Sequence, residues 1–297
     1  MTYLSTARNE GQQLFKLNKK VIGSPFTVGD AFNALAFRHA NYDIGFDPLI
    51  MVDHYTMTGT TFGAHPHAGL SAVSIIFEDS VGKFHNRDSL GNDFDINPGD
   101  LYWLKAGSGV FHDEEPREGA RIHGLQVFVN MPNEKKNDTP ESLHIKAADM
   151  PIIESEGARV RILLGSCNGI TSKQSPSTPL TILDGSIEKA KHFTFAVNEG
   201  EDAWIYAISG ALQIEVGSSS VTLENGASVS LKSEINDLRV HLANTGSEVA
   251  RFAVLSGQPL NEPFFQQGPL VAADPSFMAR TLARQAKGLF GTIPPKE

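Results

Sequence analysis

The sequence predicts an all-β protein of two successive units, closed by one short helix near its C-terminal end. Short apolar runs recur at roughly the 8–12-residue spacing of sandwiches and barrels, with turn residues between them. The 27 Gly and 16 Pro are enough to supply those turns. A length of 297 residues exceeds the usual domain of about 100–200 residues, so each unit can bury its own core. The aperiodic, charged stretch Asn133-Glu134-Lys135-Lys136-Asn137-Asp138 reads as a solvated turn and divides the chain into residues 1–138 and 139–297.

Composition narrows the function classes. Hydrophobic content of 40% fits a globular chain, and a net charge of −9 argues against partners recognised through nucleic-acid phosphates. A single cysteine, Cys167, excludes an internal disulfide framework; its apolar setting makes it a small buried hydrophobe. The first twenty residues are polar, and no apolar run approaches the ~20 residues of a membrane helix. The chain is therefore expected to be soluble and cytoplasmic, with a small molecule or another protein as its partner.

Along the first unit, Val21-Ile22, Pro25 to Val28 and Phe32 to Phe37 read as short strands, followed by an apolar strand from Phe46 to Tyr55. His54 at the end of that strand is expected to make structural hydrogen bonds. His65-Pro66-His67 comes next. Proline between the histidines removes a backbone donor and fixes φ, which suits an irregular strand entrance. Leu70 to Glu78, with small and apolar residues throughout, reads as a strand buried on both sides. Phe84 to Asp93 is polar and reads as a loop, with His85 near a cavity mouth. Asn97-Pro98-Gly99-Asp100 is a tight turn feeding the strand that contains Trp103. Gly107 and Gly109 predict a sharp bend that brings the backbone round to His112-Asp113-Glu114. Arg121 to Asn130 closes the unit, and His123 there is expected to be hydrogen-bonded.

Alternation along a strand puts His65 and His67 on one face, and likewise His112 and Glu114. If the two segments are neighbouring strands facing one cavity, three imidazoles and one carboxylate converge there as a metal site. Mixed N/O ligation suits Fe(II), Mn(II), Ni(II), Cu(II) or Zn(II), and four protein ligands leave open positions on an octahedral ion. Asp113 and Glu115 are expected to point outward as solvated charges. The second unit repeats the short strands without an HxH or HxE pattern, so His192 and His241 stand alone. From Ser276 to Lys287 the apolar spacing is that of an amphipathic helix, started by Asp274-Pro275 and stopped by Gly288.

One family carries these motifs in the same order. Asp53-His54, Phe62-Gly63-Ala64-His65-Pro66-His67-Ala68-Gly69, Asp88 to Asn92, Pro98-Gly99-Asp100 with Trp103, and Ala106 to Pro116 together resemble the pirin family of the cupin superfamily. Gly124 to Pro132, Leu260 to Pro263 and Gly268 to Val271 resemble later stretches of that family. The resemblance implies two tandem cupin-type β-barrels, the first binding one iron through His65, His67, His112 and Glu114 and the second metal-free. It also implies either of two roles. One is quercetin 2,3-dioxygenase-type ring opening of a flavonol by O2, with Glu114 accepting or relaying the substrate's proton. The other is regulatory, a non-catalytic metal-dependent protein that binds a transcription factor or metabolic enzyme. Around the matching ligands the sequence departs from the family, with Ala68 where Arg is usual and Lys105 where Thr is common.

Overall fold

The computed structural model describes residues 8–9 and 12–294, so part of the polar amino-terminal stretch lies outside the described residues. Each half of the chain is a two-sheet sandwich of jelly-roll type rather than a closed barrel. In the first half a seven-stranded sheet runs in the order Glu141–Ile145, Leu101–Lys105, Leu70–Ile76, Ile122–Asn130, Leu49–Met57, Phe32–Arg38 and Ser24–Val28. A four-stranded sheet faces it, ordered Asp93–Ile96, Phe84–Asp88, Val110–Pro116 and His65–His67. The second half repeats the plan with eight-stranded and four-stranded sheets.

The two large sheets pack back to back, which explains the sequence of their central strands. All seven residues of Leu70–Ile76 are buried. Val73 and Ile75 face the second half, whereas Ala72 and Ser74 face the inside of the first. Phe37, Trp103, Val127, Trp204, Tyr206 and Leu255 belong to one apolar cluster that joins the halves. Phe37 meets Trp204 and Tyr206 edge-on at 5.3 and 5.2 Å, a favoured aromatic geometry. The inside of the second half is filled by apolar side chains, among them Phe193, Phe195, Ile205, Ile214 and Phe252.

Both ends of the chain cross between the halves. Phe15–Leu17 and Val21–Ile22 pair with Ala227–Ser233 of the second half. The C-terminal segment returns to the first half, where Leu270 bridges Ala68 and the Val271 N–H donates to the Ala68 carbonyl at 2.9 Å. The helix Pro275–Ala286 follows, its Phe277 N–H donating to the Asp274 side chain at 2.8 Å. Phe290 then packs over Gly109, whose φ is +130° and where a Cβ would come within 2.1 Å of the ring. Only glycine allows that approach. Lys136, expected in a solvated turn, is buried instead and donates to the Gly69 carbonyl and the Asn130 side chain. No helix among the described residues is long and apolar enough to cross a membrane.

His54 and His123 make the structural hydrogen bonds expected of them, and they do so at the interface. His54 Nδ1 lies 2.5 Å from the Tyr206 hydroxyl, the two Nε2 atoms are 2.7 Å apart, and His123 Nδ1 is 2.8 Å from Asp79. With both rings neutral, one direction satisfies every group: Tyr206 donates to His54, His54 to His123, and His123 to Asp79. Burial, with the charges of His123 and Arg251, holds His54 down at about 3. Between that value and the ordinary 6.5 the unfolded chain binds a proton that the folded chain refuses, so stability falls as pH drops through this window. Urea midpoints measured from pH 7 to pH 4 are expected to fall less steeply in His54→Gln than in the parent. An identical slope would show that His54 is not held neutral.

Candidate metal centre

The His65–His67 strand lies at the edge of the small sheet and, among the described strands, pairs only with Val110–Pro116. An edge strand tolerates Pro66, because its missing N–H interrupts no second ladder. The antiparallel register sets His112 opposite His65 and Val110 opposite His67. Alternation therefore turns His65, His67 and His112 to the same face. Their donor nitrogens form a group lying within 4.8 Å of one another, with His112 Nε2 at 2.9 Å from His67 Nε2 and 3.0 Å from His65 Nε2.

The remaining ring nitrogens define the protonation. His65 Nδ1 donates to the Gly63 carbonyl at 2.8 Å and His67 Nδ1 to the Pro269 carbonyl at 3.2 Å. Both Nε2 atoms are then bare lone pairs directed at His112 Nε2. Burial lowers all three pKa values, His67 to about 3, and the neighbouring imidazoles lower His67 and His112 further. One proton on His112 satisfies only one of its two neighbours, whereas a cation satisfies all three lone pairs. With metal–nitrogen bonds of about 2.1 Å, adjacent ligands stand about 3.0 Å apart at octahedral angles and about 3.4 Å apart in a tetrahedron. The observed 2.9 and 3.0 Å match the spacing of neighbouring octahedral ligands on either side of His112. Carbonyls that hold Nδ1–H groups are the usual support of metal-binding histidines.

Glu114 stands on the same wall, two residues along the strand from His112. Its carboxylate accepts from the Ser74 hydroxyl at 2.8 and 2.9 Å and is not part of the three-imidazole group. Burial raises Glu114 to about 7, against the lowering effect of Ser74 and with further upward pushes from Asp113 and Asp88. Ser74 has one proton. The side-chain oxygen of Gln126 lies 3.1 Å from the same hydroxyl and competes with Glu114 for that proton.

The imidazoles open onto a cavity of about 550 Å³ inside the first half. Its walls are aromatic at Phe32, Tyr55, Phe62, Phe84 and Phe128, and polar at Arg38, Asp53, Gln126 and Glu114. Gly268 and Pro269 of the returning segment complete the rim. Arg38 is held by Asp53 at 2.5 Å. A second cleft of about 390 Å³ lies between the halves, where Arg159 pairs with Glu78 and Arg251 with Asp79.

The stretch Phe84 to Asp93, read as a loop, contains a strand, Phe84–Asp88, with every residue buried. Its polar residues are accommodated by alternation. His85 and Arg87 turn away from the cavity, to Asp93 at 2.7 Å and Asp113 at 2.6 Å. His85 therefore sits on the back of the small sheet and not at the cavity mouth. Asp113 does point outward, but it is buried against Arg87, and Glu115 accepts from Thr60. Sequence reasoning missed Ser74, Tyr55, Gln126 and the Pro269 carbonyl. Ser74, an alternate position in a buried strand, was the one with a local signal.

The chain matches the pirin family model over residues 7–129 and the pirin C-terminal cupin domain over residues 182–291. It is 30% identical over 226 residues to pirin of Rattus norvegicus, covering 76% of each chain. A pirin-like protein of Solanum lycopersicum is 29% identical over 226 residues, covering 76% of this chain and 75% of the relative. Among solved structures, a quercetin 2,3-dioxygenase from Acinetobacter baumannii superposes with a TM-score of 0.82 at 26% identity, covering 95% of this chain and 100% of the other. The bacterial pirin YhhW from Escherichia coli, in complex with nickel(II), shares the fold with a TM-score of 0.61 at 16% identity, covering 83% and 100%. With family models matching both halves in order, this chain belongs to the pirin family and consists of two cupin domains in tandem.

Proposed function

We propose that the first cupin domain holds one iron(II) ion and acts as a quercetin 2,3-dioxygenase-type enzyme on a flavonol or related aromatic diol. The observation that carries this reading is the convergence of three neutral imidazole nitrogens in the wall of an aromatic-lined cavity. The structural relative named a quercetin 2,3-dioxygenase supports the substrate class. The nickel-bound bacterial pirin supports a divalent ion, and manganese, nickel, copper or zinc could fill the same donor set. The ion supplies a Lewis-acid position for a substrate oxygen and for O2.

The chain's own groups do the rest. His65, His67 and His112 hold the ion, with Glu114 as a fourth ligand when its carboxylate turns from Ser74. Phe32, Tyr55, Phe62 and Phe128 receive the planar rings and exclude water, which strengthens every polar contact inside. Glu114 accepts the proton of the substrate's enolic hydroxyl, and Ser74 keeps the carboxylate within reach between turnovers. In the ring opening both atoms of O2 enter the products and the flavonol supplies the electrons, so no outside reductant is called for.

Protein purified without chelators is expected to contain close to one metal ion per chain by elemental analysis, and His67→Ala to contain almost none. Removing that ion should lower the thermal midpoint, since a ligand at about 1,000 times its Kd stabilises the folded state by about 4 kcal/mol. Stoichiometric metal retained by His67→Ala would remove this histidine from the site. In iron-loaded protein, Glu114→Gln should slow flavonol-dependent O2 consumption by roughly 10²–10⁴-fold, the range of a lost general base. Turnover unaffected by this change excludes Glu114 as the base. No turnover by the parent across flavonols and catechols would favour the regulatory role.

A further inference from the structure

One wall of the cavity carries a row of polar side chains among apolar ones. Along Ile122–Asn130, Leu125 and Val127 belong to the apolar cluster between the halves, so Gln126 turns to the cavity, as Phe128 does. Strand register sets Gln126 opposite Ser74 on one side and Asp53 on the other. A polar row therefore runs across the large sheet through Ser74, Gln126 and Asp53. Both ends are engaged, Ser74 with Glu114 at 2.8 Å and Asp53 with Arg38.

Gln126, in the middle, is engaged on one side only. Its oxygen lies 3.1 Å from the Ser74 hydroxyl, and its amide nitrogen makes no hydrogen bond among the described residues. The residue is partly exposed, although Leu125, Val127, Ser74 and Asp53 around it are all buried. That exposure opens onto the cavity, whose lining includes Gln126. In the open cavity water can meet this NH2 group; once a planar occupant expels the water, an acceptor has to come from the occupant.

An occupant at this point is close to the groups assigned to the chemistry. The single hydroxyl of Ser74 touches both Gln126 and the Glu114 carboxylate. Phe128, two residues along the same face, meets His67 edge-on with centroids 5.1 Å apart. Gln126 is therefore a neighbour of the carboxylate through Ser74 and of the imidazoles through Phe128.

We propose that Gln126 is a specificity residue of this cavity, its side-chain NH2 donating to a carbonyl oxygen on the ring carbon next to the hydroxyl that Glu114 deprotonates. This rests on the aromatic-substrate reading above and narrows it to compounds whose hydroxyl and carbonyl are vicinal. With one Ser74 hydroxyl between the two protein groups, the oxygens they hold sit on adjacent ring carbons. Gln126 makes and breaks no bond. It selects the occupant, so its loss should weaken binding of the carbonyl compound and leave metal uptake as it is.

The test uses Gln126→Leu and, beside it, Gln126→Met, which keeps the length of the side chain without the amide. Binding of 3-hydroxyflavone and of 3-phenyl-2-naphthol, which has the same outline and hydroxyl but no carbonyl, is measured by titration calorimetry in metal-loaded protein without O2. Each substitution should raise the Kd for 3-hydroxyflavone about tenfold, the scale of one buried hydrogen bond, and leave that for 3-phenyl-2-naphthol unchanged. Metal content should equal that of the parent. An unchanged Kd for 3-hydroxyflavone overturns the assignment of Gln126 and leaves the proposed function standing. Equal losses for both ligands overturn it in favour of a packing role, and loss of metal from both variants overturns it in favour of a role in holding the metal site. If the parent binds neither compound, the aromatic-substrate reading falls and the Gln126 assignment falls with it.

Discussion

Three imidazole nitrogens gathered within a few ångströms, two of them with their lone pairs turned to the third, are the constraint around which this molecule is arranged. Lone pairs so placed repel one another, and burial denies them the protons that would relieve the repulsion. The fold holds them there by other means. Strand pairing fixes His112 opposite His65, and the Gly63 and Pro269 carbonyls fix two ring orientations. Gly109 lets Phe290 lie close against the strand that carries His112. Each of these contacts is made by the chain itself, and together they hold the three nitrogens as one preorganised group.

The chain crossings give that preorganisation a global cost and a global support. Pro269 belongs to the segment that follows the second cupin domain, yet its carbonyl orients a histidine of the first. The first domain cannot complete its site without the last part of the chain. The amino-terminal strands repay the exchange by extending the large sheet of the second domain. The halves also differ inside: the second is filled by apolar residues such as Phe193, Phe195 and Phe252, whereas the first leaves about 550 Å³ beside its imidazoles. One jelly roll is packed for stability and its partner is hollow.

Much of this was legible in the residues themselves. The HxH spacing and the return to His112 through glycines carry a period of two, and a period of two specifies a shared face whatever the rest of the fold does. The terminal helix was legible for a similar reason, since Asp274, Pro275 and Gly288 are local signals. Phe84–Asp88 was missed because its polar residues find partners on adjacent strands, and a sequence does not display cross-strand ion pairs. Lys136 was misread for the same reason: its acceptors, Gly69 and Asn130, become neighbours only after the chain has folded. Two-sheet sandwiches in place of closed barrels likewise depend on which edges pair, and local patterns leave that open. Glu114 shows the limit within the site, because alternation gives its face but not the Ser74 hydrogen bond that holds its carboxylate.

The most direct measurement is the X-ray absorption spectrum of the bound metal at its K edge, recorded on protein as purified. The account predicts multiple scattering from three imidazoles with nitrogen and oxygen neighbours near ~2.1 Å. A spectrum with one imidazole or none, or with sulfur in the coordination shell, would contradict it.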